Sequence, residues 1–236
     1  MDLEREERNS GTFMPQAATM PAFLSKTYGW MCFALLLTAL TAWFVGHNEA
    51  AFNMLMTGHT PIFLILAELG VVFFLSARID RMAAQTATIL FVVYSILNGI
   101  TMSVLLLVYT QASVVSTFGI CAITFGAMSL YGYTTKRDLS SIGRILFFGL
   151  IGLIIATLVN MFLHSGIVET IASYAGVIIF IGLTAYDTQK IKEMGYQIGS
   201  DGEESTKYAV LAALTLYLDF INLFIYLLRI FGNRRN

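Results

Sequence analysis

Three acids lie inside long apolar stretches of this 236-residue chain: Glu68, Asp187 and Asp219. No lysine or arginine shares the middle of any such stretch. Carboxyl groups held in an apolar medium cannot all be ionised without a compensating cation, because desolvation and mutual repulsion both favour the neutral acid. Three acids without a buried base therefore point to proton binding, to passage of a hard cation with oxygen ligands, or to contact with basic residues at the boundary. Ionisable groups at membrane depth are costly and mark functional sites. Simpler roles stand beside these: Asp187 as an interfacial residue, Glu68 as a snorkelling or hydrogen-bonded acid. Asp219 lies within Leu216–Phe224, far from both ends of its stretch, and Asn222 shares its helical face.

The elements that must hold these residues follow from composition. The chain is 57% hydrophobic and only 12% charged, with a mean hydropathy of +0.73. A soluble domain carries about 25% charged residues, so half its usual polar cover is missing. The net charge of −1 gives no basic footprint for nucleic acid. Cys32 and Cys121, both in apolar runs, read as buried thiols, and His47, His59 and His164 are too scattered for a metal site.

Seven apolar stretches are apparent: Tyr28–Val45, Pro61–Ala77, Thr86–Tyr109, Ala112–Tyr133, Ile145–Leu163, Ile171–Tyr186 and Tyr208–Phe231. A spanning helix needs about 20 apolar residues, and the period-two alternation of a β-barrel is absent. An all-α membrane protein with seven transmembrane helices is expected, its partner the lipid bilayer. The sixth stretch is the shortest at 16 residues, so six full spans plus a re-entrant segment is the rival. Residues 1–24 read as a polar, mobile cytoplasmic tail, and 25–236 as the membrane domain. No apolar segment precedes the first span, so no signal peptide is expected.

Between spans, lysine and arginine occur only in alternate connections, and Arg5, Arg8 and Lys26 precede the first. Eleven of the 14 basic residues thus place the N-terminus in the cytoplasm and, with seven spans, the C-terminus outside. Arg229, Arg234 and Arg235 dissent. Counting along helices puts Glu68 roughly 15 Å and Asp219 roughly 18 Å from the basic boundary, but Asp187 only roughly 5 Å. Asp187 and Asp219 can meet only if the last helix starts early. Ser200-Asp201-Gly202-Glu203 offers a capping box for that start.

Three motifs carry a resemblance: Ser129-Leu130-Tyr131-Gly132-Tyr133-Thr134-Thr135-Lys136-Arg137-Asp138-Leu139, Gly182-Leu183-Thr184-Ala185-Tyr186-Asp187, and Leu216–Phe224 followed by Leu227-Leu228-Arg229-Ile230-Phe231-Gly232. With seven spans and a short polar tail, the chain resembles a bacterial inner-membrane member of the Bax inhibitor-1 family. The resemblance implies six helices around a central C-terminal helix, and a pH-sensitive calcium leak. It implies that Asp187 and Asp219 pair and sense pH, and that Glu68 contributes to the cation path, so that Asp219 and Glu68 touch calcium transiently. In some members a helix-two arginine latches the aspartates. The matching position here is Ile79, so a latch is expected at Arg78 or Arg81.

No permanently bound cofactor and no enzymatic activity are expected. Two alternatives belong to other classes. One is a non-transporting protein that modulates a membrane quality-control protease. The other is an intramembrane aspartyl protease, which would carry Gly-x-Gly-Asp where this chain has Leu216-Tyr217-Leu218-Asp219.

Overall fold

In the computed structural model, which describes residues 16–199 and 201–235, eight α-helices and one 3₁₀ turn follow in order. They are α1 (Gln16–Gly46), α2 (Glu49–Met56), α3 (Thr60–Arg78), the turn Ile79–Arg81, α4 (Ala84–Val108), α5 (Gln111–Thr134), α6 (Ser140–Leu163), α7 (Gly166–Ile198) and α8 (Gly202–Phe231). All except the short α2 are long and apolar enough to cross a membrane, which makes seven spans. Helices suit lipid because every backbone polar group is satisfied within the segment. Local chemistry sets several ends. Pro61 opens α3, Thr110 Oγ1 accepts from Ser113 N to cap α5, and His164 closes α6 in the left-handed region at φ 51°.

Two boundaries differ from the sequence expectation, for one reason. The sixth span is not the shortest element but a 33-residue helix, and the first begins at Gln16 rather than near Tyr28. Lys190, Lys192 and Glu193 end the apolar run without ending the helix. Beyond the apolar run, α7 packs against the start of α1, where Met20 and Phe23 are buried and close on Gly195. A hydropathy count sees neither half of this contact. The polar tail thus gives way to helix at residue 16 rather than 24, and residues 1–15 lie outside the described part. The re-entrant alternative has no counterpart among the described residues.

The last helix, α8, is the most buried span. Its principal neighbours are α1, α4, α5 and α7. The helices α3 and α6 stand one layer further out, α3 against α4 and α6 against α7. The expected ring of six is therefore four close neighbours and two outer helices. Cys121 is buried, with its thiol 3.6 Å from Phe220 O, but Cys32 is exposed on the bundle's side. An apolar run in a membrane has a lipid-facing side as well as a core side, so apolar context alone does not bury a thiol.

At the end of the bundle away from Lys190 and Lys207, residues 233–235 fold back across the α4–α5 connection. Thr110 N donates to Asn233 O (3.0 Å) and Arg235 N to Val108 O (2.9 Å). Arg234 reaches Glu169 at 3.5 Å, and Arg235 donates to Leu106 O. The dissenting Arg234 and Arg235 thus tie helix ends together, and Arg235 sits where free helix carbonyls attract a cation.

Candidate functional site

Asp187 on α7 and Asp219 on α8 come together: their carboxyl groups lie within hydrogen-bonding reach of each other. Helix α7 runs on eight residues past Lys190 to Ile198, and α8 starts five residues before Lys207, at Gly202. The two lysines therefore mark no common depth, which removes the mismatch implied by counting. Side chains lean toward a helix's N-terminus. On two antiparallel helices, that tilts each aspartate toward the other. The expected capping box contributes little: Ser200 lies outside the described residues, and Asp201 makes no side-chain cap bond. Glu203 instead accepts from Ala84 N (3.0 Å) and caps α4.

Close helix crossings place Asp187. A Cβ added at Gly132 would fall 2.2 Å from Ala185 O, so only glycine lets α5 approach α7 this closely. Gly143 of α6 leaves equivalent room for the Tyr186 ring. On the following turn, Gln189 accepts from Leu139 N and donates to Arg137 O, both at 2.8 Å, and Lys192 donates to Tyr133 O at 2.7 Å. These bonds fasten α7 to the end of α5 and to the α5–α6 connection just beyond the aspartate. Within that connection, hydrogen bonds from Ser140 hold the exposed Asp138 carboxyl below the usual aspartate range.

Asp219 is 5% exposed, and its Oδ2 has no hydrogen-bond partner. It forms part of the floor of a cavity of about 910 Å³, shared with Asp187, Glu68 and Asn222. Two carboxyl groups in contact offer only acceptors unless a proton or a cation lies between them. A proton or a cation shared between them would relieve that mismatch.

Glu68 reaches the same cavity but is held differently. It accepts from Thr101 Oγ1 at 2.9 Å and Asn98 Nδ2 at 3.5 Å. Asn98 Oδ1 accepts from the Tyr217 hydroxyl (3.0 Å), which is 2.6 Å from Thr38 Oγ1, and Thr38 in turn donates to Ser95 O (2.9 Å). A polar chain thus crosses the core from α3 through α4 and α8 to α1. Tyr217 was not singled out from the sequence. Its place two residues before Asp219 was the available signal, since the two sit on different sides of α8. Asn98 is interhelical glue, as its position in the third span suggested. Asn160 instead caps the α6–α7 turn by accepting from Ser165 N (3.0 Å), and Asn222 bonds its own helix at Leu218 O (2.8 Å).

The expected latch residues do not join the site. Arg78, the last residue of α3, and Arg81, in the turn after it, are exposed and do not line the cavity, while Ile79 is buried between them. The cations that line it are Arg144 of α6 and Lys190 of α7. The three histidines remain apart. Among the described residues no group of three or more His, Cys, Asp or Glu side chains gathers closely enough to hold a metal ion.

Comparison with known proteins finds relatives over nearly the whole chain. The sequence model of a family described as inhibitor of apoptosis-promoting Bax1 matches residues 20–236. A protein of Escherichia coli K12 named inner membrane protein YbhL is 50% identical over 99% of this chain and 100% of its own length. An uncharacterized protein of Rickettsia prowazekii is 47% identical over 91% of this chain and 90% of its own. One from Borreliella burgdorferi is 46% identical, with 91% and 93% covered.

Proposed function

The chain belongs to the family of inhibitors of apoptosis-promoting Bax1, the Bax inhibitor-1 family its motifs resemble, and from that premise we propose that it is a pH-sensitive calcium leak of the bacterial inner membrane, gated by Asp187 and Asp219. The inner-membrane placement draws on the name of the Escherichia coli relative. The observation that carries the reading is the contact of these two carboxyl groups, from different helices, on the floor of a cavity that also reaches Glu68.

With a proton between them, the pair bonds α7 to α8 and keeps the basic end of the bundle closed. When that proton leaves, two like charges face each other in a poorly solvated site. Repulsion separates the helices, and a hard cation with carboxylate ligands becomes favourable. The pair then titrates as a unit rather than as two independent groups. Glu68, held by Thr101 and Asn98, offers the next carboxylate along the cavity. In this reading the basic end faces the cytoplasm and the C-terminus lies outside. Calcium is cargo, and the pair performs no catalytic step.

Calcium flux through the purified protein in liposomes, measured across a pH series, tests the reading. Flux should rise with pH in the unaltered protein, and Asp187→Asn should flatten that dependence because no repulsion remains to open the pair. A pH response unchanged by Asp187→Asn would overturn the gate. A peptidase assay on the same preparation separates this reading from an aspartyl protease.

A further inference from the structure

The cavity that holds the carboxylate pair is not sealed from the bilayer. It lies between α3 and α6, which pack against α4 and α7 rather than along each other. Its outer walls are side chains that are largely exposed: Ile65 and Leu69 on α3, Phe147, Phe148 and Ile154 on α6, all at least 50% exposed. In a membrane these residues face lipid. Along α8 the cavity runs from Thr215 to Tyr226, eleven residues or roughly 16 Å. It is a slot that runs along α8, with lipid-facing side chains on its α3 and α6 walls.

The slot is amphipathic along its axis. Arg144, in the second turn of α6, and Lys190, three residues beyond Asp187, line its end on the basic side of the bundle, and both are exposed. Neither makes a close ion pair, although Lys190 acts electrostatically on Asp187 and Arg144 on the exposed Asp138. Further in, the walls on α3 and α6 that face the bilayer are apolar, while the inner wall carries Glu68, Asn98, Asp219 and Asn222. Basic pockets between transmembrane helices bind lipid head groups, and a volume of about 910 Å³ is within the size range of ligand sites.

We propose that one phospholipid of the surrounding leaflet occupies this slot, its phosphate held by Arg144 and Lys190 and an acyl chain lying between α3 and α6 over Asp219. The charge at one end and the lipid-facing walls beyond it select a phospholipid over a soluble anion, which has no use for the apolar length, and over a partner helix, which needs no phosphate seat. This is an occupancy claim for the closed state proposed above, in which no calcium passes, and its test reads binding rather than flux.

The test uses the whole protein in vesicles of phosphatidylethanolamine and phosphatidylglycerol, doped with phosphatidylglycerol carrying a photoreactive group in its acyl chain. Cross-linked residues are mapped by mass spectrometry. Labelling should concentrate on Leu69, Phe147 and their neighbours in the slot. Arg144→Gln and Lys190→Gln should each lower it by about fivefold. Arg78→Gln with Arg81→Gln removes two exposed charges from the same end of the bundle without touching the slot, and should leave slot labelling unchanged. Labelling spread evenly around the bundle would overturn the proposal. So would slot labelling that survives loss of both Arg144 and Lys190, or that falls equally in the Arg78 and Arg81 variant.

Discussion

The helices α6 and α8 look alike as sequences and behave oppositely in the fold. By composition α6 is the most apolar span of the seven, yet only 6% of its apolar stretch is buried, with Gly143 and Leu153 its sole buried residues. On α8 the share is 67%, although this helix carries an aspartate, an asparagine and a tyrosine in its middle. In water the more apolar helix would be the inner one. In a bilayer, lipid tails are as apolar as leucine, so hydropathy gives no drive toward the centre. Close packing and interhelical hydrogen bonds decide instead. The helix with an acid, an asparagine and a tyrosine in its middle goes inside; α6, whose polar side chains lie near its ends or bond its own backbone, is left to the lipid.

That contrast can be broken most severely at its functional end. Asp219→Asn keeps the volume but removes the charge a hard cation needs. We expect near-complete loss of calcium flux from a protein that still inserts and unfolds at its normal point. Flux that survives this change would take the centre of α8 out of the ion path. Glu68→Gln should reduce flux less, because Thr101 and Asn98 still hold the side chain in place.

Next in size is packing. Leu216 on α8 is fully buried and Leu158 on α6 is 55% exposed. Leu216→Ala should cost about 2 kcal/mol, the low end for a buried leucine, since the cavity penalty persists while lipid offers the lost contacts' apolar equivalent. Leu158→Ala should stay within about 0.5 kcal/mol. Reversible unfolding in detergent measures both, and equal costs would end the inside–outside distinction. Tyr217→Phe removes the hydroxyl that joins Asn98 to Thr38. A cost of about 1 kcal/mol is expected, with Phe91 and Tyr94 still packed edge-on against the ring.

The smallest effect lies outside the membrane, at the start of α6. Asp138 accepts from Ser140 N at 2.8 Å, and hydrogen bonds from Ser140 keep its carboxyl below the usual aspartate range. A carboxyl stabilised as its anion in the folded state adds stability above its unfolded value and loses it as pH falls through the lower folded one. Asp138→Ala should therefore lower stability slightly at neutral pH and not at all in strong acid. A difference that grows on acidification would refute this assignment.

Much of this protein was legible in its residues. Apolar length and the absence of alternation gave seven helices, and the three acids were conspicuous because no lysine or arginine shares the middle of any apolar stretch. The Leu216–Phe224 motif carried the family. Helix ends were less legible: Lys190 and Lys192 interrupt an apolar run, but a helix needs backbone bonds rather than apolar side chains, and α7 continues for as long as α1 covers it. Position along the chain also does not show which cations reach the cavity: Arg78 and Arg81 follow Glu68 closely yet stay outside it, whereas Arg144 and Lys190 line it because α6 and α7 pass beside it.

The sequence by itself determined which groups could do chemistry and how many times the chain crosses the membrane, because both follow from residue type and from the thickness of the bilayer. Tertiary structure alone decided that Asp187 meets Asp219, that Glu68 is tied through Asn98 and Tyr217 to the first helix, and that α3 and α6 leave a slot between them. Those outcomes depend on which face each helix turns inward. In a membrane both faces are apolar, so periodicity cannot name the inner one; glycine crossings and hydrogen bonds between helices do.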